Sequence, residues 1–572
     1  MFFAKNVSMF LVITVLSLFL FSPPVTAANL DELEQFWLEQ FNDTEVESPL
    51  NPPGNFGTFT RELLAKAQPD ECYDGIGIPY PLGPPCAQGI PKVNEAYVWG
   101  LTKAGDDLWI GTLANTHCLA IGGMMFALLG DAIPHENTSW VCEFGESQLV
   151  PPMPPPFGDW RMPHIYVFDL TTETLTDKTP FADPLIQTTL GLRSAGNLNK
   201  VVILGGPSLV AGINLFAYRA DTGACIGSIN LPQYDNIRKW VVIDGVLYAG
   251  VKNTAGGGSV LRWKGDLINP FQFDVVGNLD NDAVELAKHE GRLFATTWPP
   301  VQLAGPPAPL AGLYMSPVIP FGGLTNADAN NWTKVWETDD YEPDPVTATT
   351  YAGGALASYG GYLYWGTMHV PFTSAMAALA SLDLDSNGNG DLDPEEILIT
   401  ALGTYRAISI FRGRNFGAPA ERMEVVYGLS YLPIYDPIAK SYTIAFDAAH
   451  RNKMPDPVPK WGLSGFGNFF NVYTWTMAVY DNELFIGTFD WSYLLAQGLL
   501  DLILTPFVSS GLPPEGKSLQ AQVQWPIYAF GADLYRIMGG GIWSKKDPAL
   551  PESVAGVGNF TNYGIRTMVS DD

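Results

Sequence analysis

Across 572 residues the chain sets 31 Lys and Arg against 59 Asp and Glu, a net charge of −28, with 47% hydrophobic and only 16% charged residues. So acidic a balance argues against nucleic acid and anionic membranes as general partners, and it fits solubility and an affinity for divalent cations. The 58 Gly and 46 Pro suit a turn-rich, mostly β protein better than a helical one.

The opening residues, MFFAKNVSMFLVITVLSLFLFSPPVTAAN, place a lysine, an apolar run and Val25-Thr26-Ala27 in the layout of a secretory signal peptide over residues 1–27. An uncleaved membrane anchor is the alternative, and its apolar core is short for a bilayer span. The expected location is therefore outside the cytoplasm: secreted, periplasmic or at the cell surface. Residues 28–94 read as an N-terminal extension. Cys72, Cys86, Cys118 and Cys142 are expected to form two disulfides that staple the N-terminal region, with three pairings open, and Cys225 is left over. Beyond the leader no stretch reads as a transmembrane helix. The nearest, YLLAQGLLDLILTPF from Tyr493, contains Gln497 and Asp501 and reads as an inserted buried or interfacial helix.

From residue 95 onward one pattern returns: an extended segment, a tight turn, then a strand of the form apolar-aromatic-apolar-Gly-Thr. Examples are VWGLTKAGDDLWIGT (98–112), IRKWVVIDGVLYAGV (237–251), VELAKHEGRLFATT (284–297), GALASYGGYLYWGT (354–367) and TWTMAVYDNELFIGT (474–488). LRSAGNLNKVVILGG (192–206) fits with a different turn, and TYRAISIFRGRNFG with MEVVYGL (404–429) makes a seventh candidate. Alternating apolar runs joined by Asp-Gly, Glu-Gly, Gly-Gly or Asp-Asn are hairpins. Leu108, Val202, Leu247, Leu293, Leu363 and Leu484 mark equivalent positions, and their shortest spacing of about 45 residues is that of one four-stranded propeller blade. The fold expected is an all-β β-propeller of seven blades, with eight as the alternative.

NLFAYRADTGACIGSINL (214–231) resembles one repeat of quinoprotein-like propellers. Without an adjacent cysteine pair or a recurring tryptophan pattern, it speaks for the fold and against a quinone-dependent dehydrogenase. Segments such as PKVNEAYVWGLTKAGDDLWIGT, GYLYWGTMHVP and YTWTMAVYDNELFIGTFDWSYL also resemble an uncharacterised family of exported bacterial β-propeller-like proteins, which implies the fold and export and no activity. GIRTMVSDD (564–572) matches the first strand and turn of a further unit, so the last blade is expected to be incomplete and the chain to be a shortened version of a longer one.

DSNGNGDLDPEE, residues 385–396, obeys the EF-hand-like spacing: Asp385, Asn387 and Asn389 at positions 1, 3 and 5, Gly390 at the sharp turn, the Asp391 carbonyl at 7, Asp393 at 9 and Glu396 at 12. It is expected to bind Ca2+. Entered by the strand-like ALASLDLD and present once, it reads as a structural clip between two blades rather than a sensor, occupied in extracellular calcium.

Nine positions before the marker residues stand Trp99, Arg193, Arg238, Val284, Gly354 and Trp475, with Arg566 at the matching place in the incomplete last unit and Arg406 assigned beside them. Such a column gathers at one mouth of a propeller channel. Arginine forks pair with carboxylate or sulfate and tryptophans stack on sugars or cations; the competing reading has the arginines bridging blades through Asp and Glu. His289 and His369 lie where a general base could stand, and Asp490 or Glu342 with Asp344 could supply carboxylates. His117, His135 and His164 show no metal-ligand spacing. No GxSxG, HExxH, phosphate-loop or dinucleotide fingerprint occurs. The sequence therefore points to an exported calcium-binding propeller that takes an anionic extracellular small molecule or glycan. A secreted carbohydrate-active lyase or hydrolase is the alternative and a structural envelope protein the third, with the oligomeric state open.

Overall fold

The apolar segments of the repeat fold into hairpins, and the turn residues explain why. Asn199-Lys200, Asp244-Gly245, Glu290-Gly291, Gly360-Gly361 and Asp481-Asn482 each hold two successive left-handed conformations, with φ between 46 and 77°. This is the mirror-image turn whose twist matches the strands it joins. The marker residues then pair in a single register: Lys103 with Leu108, Asn197 with Val202, Val242 with Leu247, Lys288 with Leu293, Ser358 with Leu363 and Val479 with Leu484.

The structure, a computed structural model, describes residues 64–65, 71–73, 90–92, 95, 97–116, 160–300, 306–492, 534–538, 550–553 and 564–570. Four-stranded antiparallel meanders follow in chain order over 97–177, 194–231, 234–279, 282–337, 351–427 and 471–553. The first four are separate sheets. The last two are joined through the single Met368 and Tyr473 pair into one eight-stranded sheet.

The propeller is thus built on five sheets among the described residues, four of four strands and one of eight, and the expectation of seven blades, or eight, is corrected. The seventh candidate is not a unit of its own. Ile410–Arg414 pairs with Tyr362–His369, and Arg422–Tyr427 pairs with Ile410–Arg414 in turn. These outer strands imitate an inner hairpin because Ile410, Phe411, Val425 and Val426 bury both faces. Residues 385–396 accordingly lie inside the fifth meander, between its second and third strands, and not between blades. The strand-like entry is also corrected: Thr373–Ser381 is a helix, α1, and Pro394–Thr404 is a second, α2. Four alanines in TSAMAALAS favour a helix over the extended form.

Successive meanders bury apolar residues between them. Trp109, Ile165 and Phe216 lie between the first and second, Leu215, Leu247 and Trp263 between the second and third, and Tyr248, Val276 and Tyr314 between the third and fourth. Phe294, Trp336 and Trp365 fill the next interface, then Tyr364, Trp461 and Ile486. At about 1.5–3 kcal/mol for each such side chain, these clusters hold the ring. The innermost strands pack on one another in chain order, which explains the glycine of the Gly-Thr signature. A Cβ on Gly250 would stand 2.7 Å from the Ala283 carbonyl oxygen, and one on Gly111 2.6 Å from Leu192 Cβ.

Gly487 stands in the same relation to Ile565, at 2.7 Å from its Cγ2. Residues 564–570 therefore occupy the place of the next inner strand, held by the Phe489 and Gly564 bridge and by Ile565 N donating to Thr488 O at 3.0 Å. In the N-terminal region Glu71–Tyr73 pairs with Ile90–Lys92. The signal peptide, Cys86, Cys118, Cys142 and the Tyr493 segment lie outside the described residues, as does the side chain of Cys72. Cys225 is free and exposed. No helix of the described residues is long and apolar enough to cross a membrane.

Candidate functional site

The column positions share a backbone feature that periodicity alone does not show. Trp99 falls between the pairs Val98 with Thr112 and Gly100 with Gly111. Arg238 falls between Ile237 with Val251 and Lys239 with Gly250, Val284 between Ala283 with Thr297 and Glu285 with Thr296, and Trp475 between Thr474 with Thr488 and Thr476 with Gly487. Each is the extra residue of a β-bulge, which leaves the alternation of the strand and re-aims its side chain. Gly354 lies in the corresponding irregularity of the fifth meander, and Arg193 immediately precedes its strand. The bulges lie opposite the Gly-Thr end of the second strand.

Arg193, Arg238 and Arg566 are brought together. Each guanidinium lies over an indole: Arg193 over Trp99 at 5.0 Å, Arg238 over Trp298 at 4.3 Å and Arg566 over Trp475 at 6.0 Å. Arg238 and Arg566 are only 6% and 8% exposed, and Arg193 is half-buried. Buried nitrogens of all three (Nε of Arg193 and Arg238, Nη2 of Arg566) lack a hydrogen-bond partner. Among the described residues no carboxylate comes within ion-pair distance of any of them. Burial, and then the charge of Arg566, pushes the Arg193 pKa down to about 10. Burial, Arg193 and Arg566 hold Arg238 well below its usual value.

The rest of the site is aromatic. Trp99, Tyr97, Trp475 and Tyr473 form a continuous arc with ring centroids 6.3, 5.9 and 5.5 Å apart, and Trp298 stands 6.5 Å from Tyr473. Tyr97 and Tyr473 have raised pKa values, first from burial. Among the described residues Asp282 is a carboxylate that makes no salt bridge, and burial pushes its pKa up to about 6 against the pull of Lys252, Arg238 and Arg193. Glu285, by contrast, is engaged by Lys239 at 3.2 Å. Sequence reasoning missed Tyr97, Tyr473, Asp282 and Trp298. Three of these stand two residues before a column position, and a period of two would have placed them on the same face.

Arg406 does not join this group. Its Nε and Nη2 donate to Glu342 Oε2 and Oε1 at 2.7 and 2.9 Å, and its remaining donors reach the carbonyls of Gly403, Tyr405 and Pro433. Burial alone would depress its pKa, but Glu342 overrides that and raises it. The blade-bridging reading of a column arginine describes this residue. Glu342 also accepts from Tyr351 Oη at 2.7 Å, and Asp344 accepts from Thr347 N at 2.8 Å as a helix cap. Neither is poised as a catalytic carboxylate.

The histidines stand apart from each other. His289 Nδ1 lies 2.8 Å from Ser358 Oγ, with its ring against Phe294 and Phe416. His369 Nε2 lies 2.8 Å from Thr367 Oγ1, its ring edge-on to Tyr351 at 4.3 Å; burial, then Arg406, pushes its pKa down to about 3. Five residues separate His289 from column position Val284, roughly 16 Å along an extended strand. Asp490 is fully buried, accepts from Asn468 Nδ2 and from Ser492, and is pushed up to about 6 by burial.

Residues 385–396 wrap around their own backbone. Asp385 accepts from the amides of Asn389 and Gly390 at 3.0 and 2.9 Å, Asn389 Oδ1 accepts from Asp391 N at 2.8 Å, and Glu396 Oε1 accepts from Ser386 N at 2.7 Å. Asn387 and Asn389 both donate to Asp393 Oδ2. Among the described residues no three His, Cys, Asp or Glu side chains are gathered as a metal centre.

No family model and no curated protein matches the chain. Among solved structures it is similar to an exo-β-1,3-galactanase from Phanerochaete chrysosporium, at 12% identity and TM-score 0.29 over 64% of this chain and 72% of that one. It is similar also to the β-propeller domain of the Trilobed protease from Pyrococcus furiosus, at 8% and 0.25 over 60% and 87%. A third is the arabinanase Arb43A of Bacillus subtilis, at 10% and 0.22 over 52% and 87%. Likenesses this distant carry no argument about the chain's activity, which rests on the site itself.

Proposed function

We propose that the protein is an exported binding protein whose ligand is an acidic glycan, held at the channel mouth by Arg193, Arg238 and Arg566. The observation that carries this is the convergence of three buried or half-buried guanidiniums without a counter-ion. A buried charge is costly unless paired, so a site of this kind is built for an anion that supplies the missing acceptors. The arc formed by Tyr97, Trp99, Tyr473 and Trp475, with Trp298 beside it, gives the flat apolar surface on which a sugar ring stacks. Calorimetric titration of the mature protein with oligogalacturonate and with the neutral galactose oligomer tests the reading. Binding of the acid alone, weakened roughly thirtyfold in Arg238→Gln, is the expected result; equal behaviour of both sugars overturns it.

Calcium at residues 385–396 is part of the same proposal. Asp385, Asn387, Asn389, Asp393 and Glu396 bring oxygen donors to one turn, and the Asp391 carbonyl adds another, the donor chemistry that calcium prefers. Rotation of the two asparagine amides would turn their oxygens inward. The ion would tie α1 to α2 and serve as a clip.

The lyase or hydrolase reading keeps one supporting observation: Asp282, with its pKa near 6 beside the arginines, lies in the range of a general acid or base. It does not rest on His289 and His369, each of which sets one ring nitrogen against a hydroxyl, that of Ser358 and that of Thr367.

A further inference from the structure

The three arginines come from three separate stretches of chain, and one of these stretches is the seam of the ring. Residues 564–570 touch the sixth meander through the Gly564 bridge, the Ile565 amide and the packing of Ile565 on Gly487. The Ile565 contact is the one that Leu192 N makes to Thr112 O, at 2.9 Å, between the first two meanders. At this seam Arg566 faces Arg193 and Arg238, and like charges repel. Asp282, the nearest free carboxylate, is not in ion-pair contact with any of them.

The indoles constrain what can relieve this. Because each guanidinium is covered on a face by Trp99, Trp298 or Trp475, its N–H edge is what remains for a ligand. One carboxylate has two oxygens and serves two such forks at most. A ligand with a single acidic group would leave the third arginine buried and unpaired.

Resting on the acidic-glycan reading, we propose that the ligand carries at least two oxyanions, carboxylate or sulfate, and is the missing counter-ion of the seam. One group is shared by Arg193 and Arg238, the other is taken by Arg566, and binding thereby holds residues 564–570 in place. Occupancy of the site and closure of the ring become one equilibrium.

The test uses the full mature chain with galactose, galacturonate, digalacturonate and a disulfated disaccharide, the last two separating carboxylate from sulfate. Calorimetry is expected to show a dianion binding at least about tenfold tighter than galacturonate. Hydrogen exchange at the Ile565 amide, which donates to Thr488 O, is expected to slow about tenfold or more when the dianion is bound. Unliganded Arg566→Gln, relieved of repulsion, is expected to melt no lower than the wild type while losing the preference for two charges. If a dianion binds and Ile565 exchange is unchanged, the seam proposal falls and the binding reading stands. If no acidic sugar binds better than galactose, both fall. If unliganded Arg566→Gln melts several degrees lower, the arginine is structural and the proposal is overturned.

Discussion

Arg406 and Arg238 are both buried, at 3% and 6% exposure, and the chain treats them in opposite ways. Arg406 spends its guanidinium on Glu342 and three carbonyls. Arg238 lies flat on Trp298, with no hydrogen bond to its Nε and two other arginines for company. A fully satisfied charge fixes a fold, whereas an unsatisfied one fixes it poorly and is retained for something that arrives from outside. On the proposed reading, the distinction between these arginines is one between scaffold and site.

The largest effect should come from breaking the satisfied arginine. Glu342→Gln leaves Arg406 buried without its counter-ion and is expected to cost about 3–5 kcal/mol of stability, read by urea denaturation. A loss below 1 kcal/mol would mean that the pair is not the anchor described. Calcium bound as proposed at residues 385–396 would act on the same region, since α2 ends two residues before Arg406. Chelation is expected to remove about 2.7 kcal/mol if calcium is present at a hundred times its dissociation constant. Melts with calcium, with EDTA and with calcium restored check this, and an unchanged midpoint would show that the loop is not a clip.

Arg238→Gln sharpens the contrast from the other side. It is expected to weaken acidic-glycan binding by about 2 kcal/mol, roughly thirtyfold, yet to leave the unliganded melting temperature unchanged or higher. A variant that unfolds like Glu342→Gln would erase the difference between the two arginines.

A further effect concerns His369, whose folded pKa of about 3 lies below the unfolded value of about 6.5. The stability it contributes is whole above pH 6.5 and is lost as pH falls toward 3, at up to about 1.4 kcal/mol per pH unit. Asp490, raised to about 6, works in the opposite sense: its contribution is whole below about pH 4 and is lost as pH rises through 6. The difference in stability between the wild type and His369→Gln should therefore narrow between pH 7 and pH 4.5; a constant difference would mean that the ring is not neutral in the fold.

The hairpins, their register and the propeller class were legible in the residues because alternation and turn chemistry are local. Asp244-Gly245 and Leu247 carry that information within a few positions of one another. Arg193, Arg238 and Arg566 were legible as a column for the same reason. The number of sheets was not. Ile410–Arg414 and Arg422–Tyr427 bury both faces as an inner hairpin does, and nothing local tells an outer strand buried on both sides from an inner one. Nor was the helical setting of residues 385–396, where the apolar run before the loop suits either state and packing among Ala377, Ala378, Leu398 and Tyr442 decides.

By itself the sequence determined which residues turn, which alternate and which positions recur. Only the tertiary structure decided that Arg406 meets Glu342, sixty-four residues away in the chain, while three other arginines meet one another. The physical reason is that a charge acquires its role from what surrounds it in space. A cluster drawn from residues 193, 238 and 566 exists only once the meanders that carry them have packed together.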